Sequence, residues 1–261
     1  MPTAGMPPSP PRRRGPWLPP GGLRRRGRQP ARPSRFNAPV AATASPRPPR
    51  SAESTEGRVL ILACGALARE LLTLTAGLPG VDVACLPADL HNRPERITGA
   101  VAAKLDELAG RYQRVFVAYA DCGTGGTLDR LLAERGIARL PGAHCYEVYA
   151  GAAAFARLHD QEPGTFYLTD FLVRNFEGLV WRGLGLHRHP ELLPVYFGHY
   201  RRLVYLQQSD DPALVAAARR AAERLGLAFQ LVPTGYGGLA EAVGGFLVGT
   251  SDPAPSASTS R

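Results

Sequence analysis

The chain predicts an α/β fold: a mainly parallel sheet with helices on both faces. Three observations carry that prediction. Short runs rich in Val, Leu and Ile recur from residue 58 to about 249. Segments with apolar residues at helical spacing separate them. Glycine and proline punctuate nearly every junction. Strands buried on both faces read as continuous apolar runs, and strands alternating with helices pack as parallel crossover units.

The first strand is expected at 58–63, where Val59-Leu60-Ile61-Leu62-Ala63 suits burial on both sides. A helix follows over about 66–76, with Leu67, Leu71, Leu72 and Leu74 inward and Gly77 and Pro79-Gly80 as its stop. Val81 to Leu86 reads as the second strand. The next helix runs from about Pro94, acceptable in a first turn, to Tyr112, with Ile97, Val101, Leu105 and Leu108 as its buried stripe. A third strand at 114–120 leads to a helix over 127–134 and a short strand at 138–140. The helix after Cys145 is expected to continue to about His159. Strands follow at 165–169, 201–207 and 227–232, with a helix near 212–225 before the last. Thr234-Gly235-Tyr236-Gly237-Gly238 then opens a short C-terminal helix. Residues 175–200, with clustered aromatics and histidines, read as an insertion or lid over the sheet rim. Together these elements describe a Rossmann-like three-layer architecture over residues 58–250.

The formal net charge of +9 suggests a nucleic-acid binder until it is divided by region. Residues 1–57 hold eleven arginines against two glutamates, whereas residues 58–250 hold nineteen basic and nineteen acidic side chains. The folded region therefore has no charge excess to attract a phosphate backbone. Fourteen of the twenty-five prolines also fall in residues 1–57, a composition expected to stay disordered. That segment reads as a solvated extension or a mis-assigned start, with a targeting peptide and a basic arm as alternatives. Residues 251–261 read as a second flexible end. No stretch of eighteen apolar residues predicts a membrane span. Arginine runs at 12–14 and 24–26 have no apolar segment behind them, and four cysteines do not make a disulfide scaffold. The expected compartment is a reducing cytoplasm.

Three of those cysteines fall where predicted strands end. Cys64 follows the first strand, Cys122 follows the third and opens Cys122-Gly123-Thr124-Gly125-Gly126, and Cys145 lies in His144-Cys145-Tyr146-Glu147. Ligands bind outside the carboxyl ends of strands in open α/β sheets, so these thiols are candidates to converge. Thiolates suit zinc or an iron–sulfur cluster, and three of them leave one position of zinc open. Cys64, Cys122, Cys145 and His144 are the candidate metal ligands. His91 is a candidate fourth ligand or proton carrier. Cys122 is alternatively a nucleophile, its thiolate favoured by a helix N-terminus. The amides of Gly123, Thr124, Gly125 and Gly126, with Arg93 of His91-Asn92-Arg93-Pro94, are candidates to hold a small anion. Burial as small apolar groups is the competing reading for the three thiols, and packing is expected for Cys85 inside the second strand. Tyr119, Tyr146 and Tyr149 border this rim but are read first as core. His187, His189 and His199 are read as surface or packing residues.

The ordered motifs resemble the domain-of-unknown-function 1638 family. The matching pieces are Ala63-Cys64-Gly65 with Glu70, Leu90-His91-Asn92-Arg93-Pro94, Tyr119 to Gly126, His144-Cys145, and Gly164 to Asp170. At Asp170-Phe171 this chain departs from the Gly-Trp usual in the family. The resemblance implies a shared domain and carries no activity with it. The sequence thus describes a cytoplasmic α/β enzyme that uses a Cys-ligated metal or a thiolate on a small anionic molecule. Nucleic acid and membrane are not among its expected partners, and oligomeric state stays open. An accessory protein that binds metal or cofactor without turnover, and a non-catalytic ligand-binding or interaction module, are the alternatives.

Overall fold

The computed structural model describes residues 57–249. The expectations for the arginine- and proline-rich N-terminal segment and for the C-terminal end lie outside the described residues. The strands pair in two sheets, each wholly parallel. The first has the order β2-β1-β3-β4, from β1 (Val59–Cys64), β2 (Val81–Leu86), β3 (Arg114–Ala118) and β4 (Ala138–Arg139). The second has the order β5-β6-β7, from β5 (Thr165–Leu168), β6 (Arg202–Gln207) and β7 (Ala228–Pro233). The predicted α/β alternation is present, but it divides after β4. A strand of two residues offers little edge for a fifth strand to extend.

Helices α1 (Ala68–Leu74), α2 (Ile97–Glu107), α3 (Thr127–Glu134) and α9 (Gly237–Leu247) contribute to the core of the first sheet. All six residues of β1 are buried there, as a strand covered on both faces must be. Ile97, Val101 and Leu105 fill the α2 stripe as their spacing predicts. The second sheet packs Leu203 and Tyr205 against Ala218, Ala222 and Leu225 of α8 (Pro212–Leu225). The alternate β6 residues Val204 and Leu206 pack against Tyr167 and Leu158 on the opposite face. Local chemistry sets the bounds of α8. The Asp211 carboxylate caps it by accepting from Ala213 N at 2.9 Å, Pro212 opens it, and Gly226 ends it at φ 71°.

Two stretches differ from expectation. The helix predicted from Cys145 to His159 is broken at Gly151, whose φ of 76° and ψ of 143° separate α4 (Cys145–Ala150) from α5 (Ala152–Gln161). Residues 175–200 are no lid. After α6 (Asp170–Arg174), a π-helix at Glu177–Arg182 and the short α7 (Leu193–Phe197) bury Phe176, Val180, Leu186 and Phe197 in the second core. The aromatic density noted in sequence is therefore core material. His187 and His199 are exposed, and His189 pairs on the surface with Glu191. No helix among the described residues is long and apolar enough to cross a membrane.

Candidate functional site

The chain passes from β1 to β2 on one side and then crosses to β3 on the other. The crevice outside the carboxyl ends of β1 and β3 is therefore the switch point where an open parallel sheet leaves room for a ligand. Cys64 is the last residue of β1, Tyr119 and Cys122 follow β3, His91 lies in the 3₁₀ turn after β2, and Cys145 opens α4. These five side chains line one cavity of about 20 Å3. That is room for roughly one water-sized occupant.

Cys64 Sγ accepts from the Ala66 amide at 3.3 Å and lies 3.7 Å from Nδ1 of His91. The same Nδ1 is 3.1 Å from the Ala88 carbonyl, which only accepts. The ring proton therefore resides on Nδ1, and Nε2 keeps its lone pair. Burial pushes the Cys64 thiol up to about 12, against a smaller opposing pull from the Ala66 amide. Burial lowers the His91 pKa, so the imidazole is neutral at pH 7. The pair is a neutral thiol beside a neutral ring.

Cys122 is the only non-glycine residue with positive φ among the described residues, at 49°. The left-handed region costs an ordinary side chain about 1–2 kcal/mol. A thiol is thus held where glycine is the relaxed choice, the kind of strain that collects at functional sites. Cys122→Gly is expected to exceed Cys122→Ala in stability by about 1 kcal/mol, measured by chemical denaturation. Equal stability of the two variants would remove the strain argument. The predicted helix-terminal activation is corrected by the structure. Helix α3 starts only at Thr127, and burial pushes the Cys122 thiol up to about 11.

Burial also raises the Cys145 pKa, and Cys122 and Cys64 push it the same way. The chemistry and number of donors suit a soft metal ion, and the cavity has the size of one ion rather than a cluster. As the side chains stand they do not complete a coordination shell. Among the described residues, no group of three or more His, Cys, Asp or Glu is arranged to hold a metal. Cys85 stays part-buried in β2, packed on the first core as expected.

The remaining candidates are not drawn into the cavity. His144 caps α4 in extended backbone at φ −163° and ψ 168°, and neighbouring side chains diverge across such a residue. Its ring packs against Phe155 and Tyr146, with centroids 5.0 and 5.3 Å away, so its assignment as a ligand beside Cys145 is corrected. Arg93 is exposed between two 3₁₀ turns. The anion-holding turn at 123–126 is also corrected, because an internal carboxylate has taken it. Asp121 accepts from Thr124 Oγ1 at 2.6 Å, from Gly126 N at 3.0 Å and from Gly125 N at 3.3 Å. Burial works to raise the Asp121 pKa, but these bonds outweigh it and hold the carboxyl below its usual range. The chemistry foreseen for the glycine turn is present, and its ligand is the residue two positions ahead of the first glycine.

Sequence reasoning gave too little weight to Tyr119. It is 1% exposed, its ring lies parallel to His91, and its hydroxyl approaches Cys64 without completing a hydrogen bond. Its position directly after an apolar strand was the available signal. Sequence reasoning also missed Asp170, 1% exposed and densely bonded at the end of β5.

Fold and rim together define an α/β protein with a thiol-lined cavity at the switch point of a parallel sheet. The chain belongs to the family described as protein of unknown function DUF1638, whose model matches residues 85–243. His91, Tyr119, Cys122 and Cys145 lie inside the matched stretch, and Cys64 lies ahead of it. Neither a curated protein nor a solved structure matches the chain.

Proposed function

We propose that the rim cavity is a thiol site for a single soft divalent ion of the zinc class, and that the chain is an enzyme acting there on a small anionic molecule. The observation that carries this reading is the meeting of Cys64, Cys122, Cys145 and His91, from four separate segments, on one ion-sized cavity. Cys122 pushes the Cys64 thiol up, and Cys122 and Cys64 both push Cys145 up, so the three do not ionise together unless a cation compensates them. Cys64, Cys122 and Cys145 are the residues that would hold the ion. When bound, such an ion supplies Lewis acidity at its open position. His91, with its Nδ1 proton held at the Ala88 carbonyl, keeps an Nε2 lone pair that would be able to take a proton. Arg93, exposed just beyond His91, offers charge to an arriving anion. An iron–sulfur cluster is a poor match in size.

The expected result is one zinc ion bound per chain by metal-free full-length protein, in competition with a chromophoric chelator. Cys64→Ser or Cys145→Ser should weaken binding by roughly tenfold or more, which is about 1.4 kcal/mol per decade. Failure of the unaltered protein to bind zinc overturns the reading. A second reading, Cys122 as a metal-free nucleophile, is favoured by its strained backbone. It requires rapid alkylation of Cys122 at neutral pH in metal-free protein, whereas burial of the thiol predicts slow alkylation.

A further inference from the structure

Strand pairing sets Tyr119 beside Cys64. Ala63 of β1 is the register partner of Ala118 of β3, so the residues that follow them, Cys64 and Tyr119, reach the rim side by side. The Tyr119 ring lies parallel to His91 with centroids 6.2 Å apart, and His91 Nδ1 is 3.7 Å from Cys64 Sγ. The phenol is 1% exposed, and its hydroxyl is sealed from solvent without a completed hydrogen bond. That hydroxyl approaches the Cys64 sulfur. We infer that Tyr119 is a positioning residue of the proposed cation site, whose O–H donates to the Cys64 sulfur once that sulfur is a metal-bound thiolate.

The state of the acceptor decides what the donor gains. A thiol sulfur accepts weakly, so a buried phenol beside it bears most of its desolvation cost. A metal-bound thiolate carries charge, and a hydrogen bond to a charged acceptor is roughly twice as strong. The same sulfur already takes the Ala66 amide at 3.3 Å, with His91 Nδ1 next to it. Donors gathered round one sulfur stabilise a thiolate ligand and fix its direction, as hydrogen bonds to ligating side chains do at metal centres. Tyr167 supplies the contrast. Its hydroxyl is also buried without a partner, but its ring packs against Tyr146 and Phe155 and does not line the thiol cavity.

This inference rests on the proposed cation site, and cobalt(II) is the visible probe that stands for zinc. Metal-free full-length protein is titrated anaerobically with cobalt, and zinc affinity is measured against a chromophoric chelator. The unaltered chain is expected to bind cobalt with a thiolate-to-metal charge-transfer band. Tyr119→Phe should keep that band and move it to longer wavelength, because a sulfur that loses a donor holds its electrons less tightly. Zinc affinity should fall about tenfold or more in the same variant. Tyr167→Phe should match the unaltered chain in both. The band is the deciding readout. An unmoved band in Tyr119→Phe overturns the inference even where affinity falls, since lost packing alone can weaken binding, and so does an equal shift in Tyr167→Phe. If Tyr119→Phe does not fold, 3-fluorotyrosine at position 119, a stronger donor of nearly the same shape, should move the band to shorter wavelength, and no movement overturns the inference. Metal binding with an unmoved band leaves the cation reading standing, whereas an unaltered chain that binds neither cobalt nor zinc overturns that reading and this inference with it.

Discussion

Replacing Asp170 with alanine is expected to cost about 3–5 kcal/mol of stability, the range for breaking a buried charged network. Its carboxylate accepts from Tyr205 Oη at 2.6 Å, from Gln208 N at 2.9 Å and from Ser209 N at 3.1 Å. The Ser209 hydroxyl also donates to it. Arg174, at 3.5 Å, adds a long contact. Alanine leaves these donors without an acceptor in a dry setting, and the loop after β6 loses its tie to the end of β5. Asp170→Asn keeps the shape but replaces one acceptor oxygen with a donor, so a smaller loss of about 1–3 kcal/mol is expected. Equilibrium unfolding in guanidinium measures both. A loss below about 1 kcal/mol for the alanine variant would mean that water replaces the carboxylate.

Glu70 is the opposite case, a buried carboxyl that weakens the fold when charged. It is 4% exposed, and its Oε2 has no partner. Burial raises its pKa first and the charge of Asp170 raises it further, while its own backbone amide, Arg174 and Arg69 pull it down. The folded chain therefore holds the Glu70 proton more tightly than the unfolded chain. The stability from this group is complete below the unfolded value of about 4.3 and falls as pH rises through the raised folded value. Glu70→Gln should flatten that fall, and the difference between the two unfolding profiles isolates the group. Glu70→Met also removes the unpartnered oxygen and should stabilise the protein at neutral pH by about 1–3 kcal/mol. Parallel pH profiles for the unaltered protein and Glu70→Gln would show that the carboxyl is not buried in solution. Neither Glu70 nor Asp170 lines the thiol cavity, so stability and zinc affinity can be tested separately.

Much of the scaffold was legible before any fold was known. The bounds of β2, α3 and α8 follow directly from apolar runs, Pro212 and Gly226, because those signals act within a few residues. That three cysteines would border one rim cavity was legible for a different reason: in a parallel sheet every strand delivers its last residue to the same rim. The break at Gly151 was not legible, since glycine is tolerated inside a helix until its backbone is asked for a positive φ. The fate of the glycine turn was hidden as well. Its sequence specifies that amides will be gathered, and only the closed loop shows that the Asp121 carboxylate reaches them first.

The sequence alone determined the elements and the kind of atom brought to the rim, because propensity, periodicity and strand direction are local properties. Tertiary structure decided what those atoms are worth. It split the strands into two sheets, turned His144 into an aromatic cluster, and buried the thiols until ionisation became costly. It also left two phenol hydroxyls, an imidazole nitrogen and a carboxyl oxygen without partners. Burial and hydrogen-bond satisfaction depend on residues far apart in the chain, so no short stretch of sequence can state them.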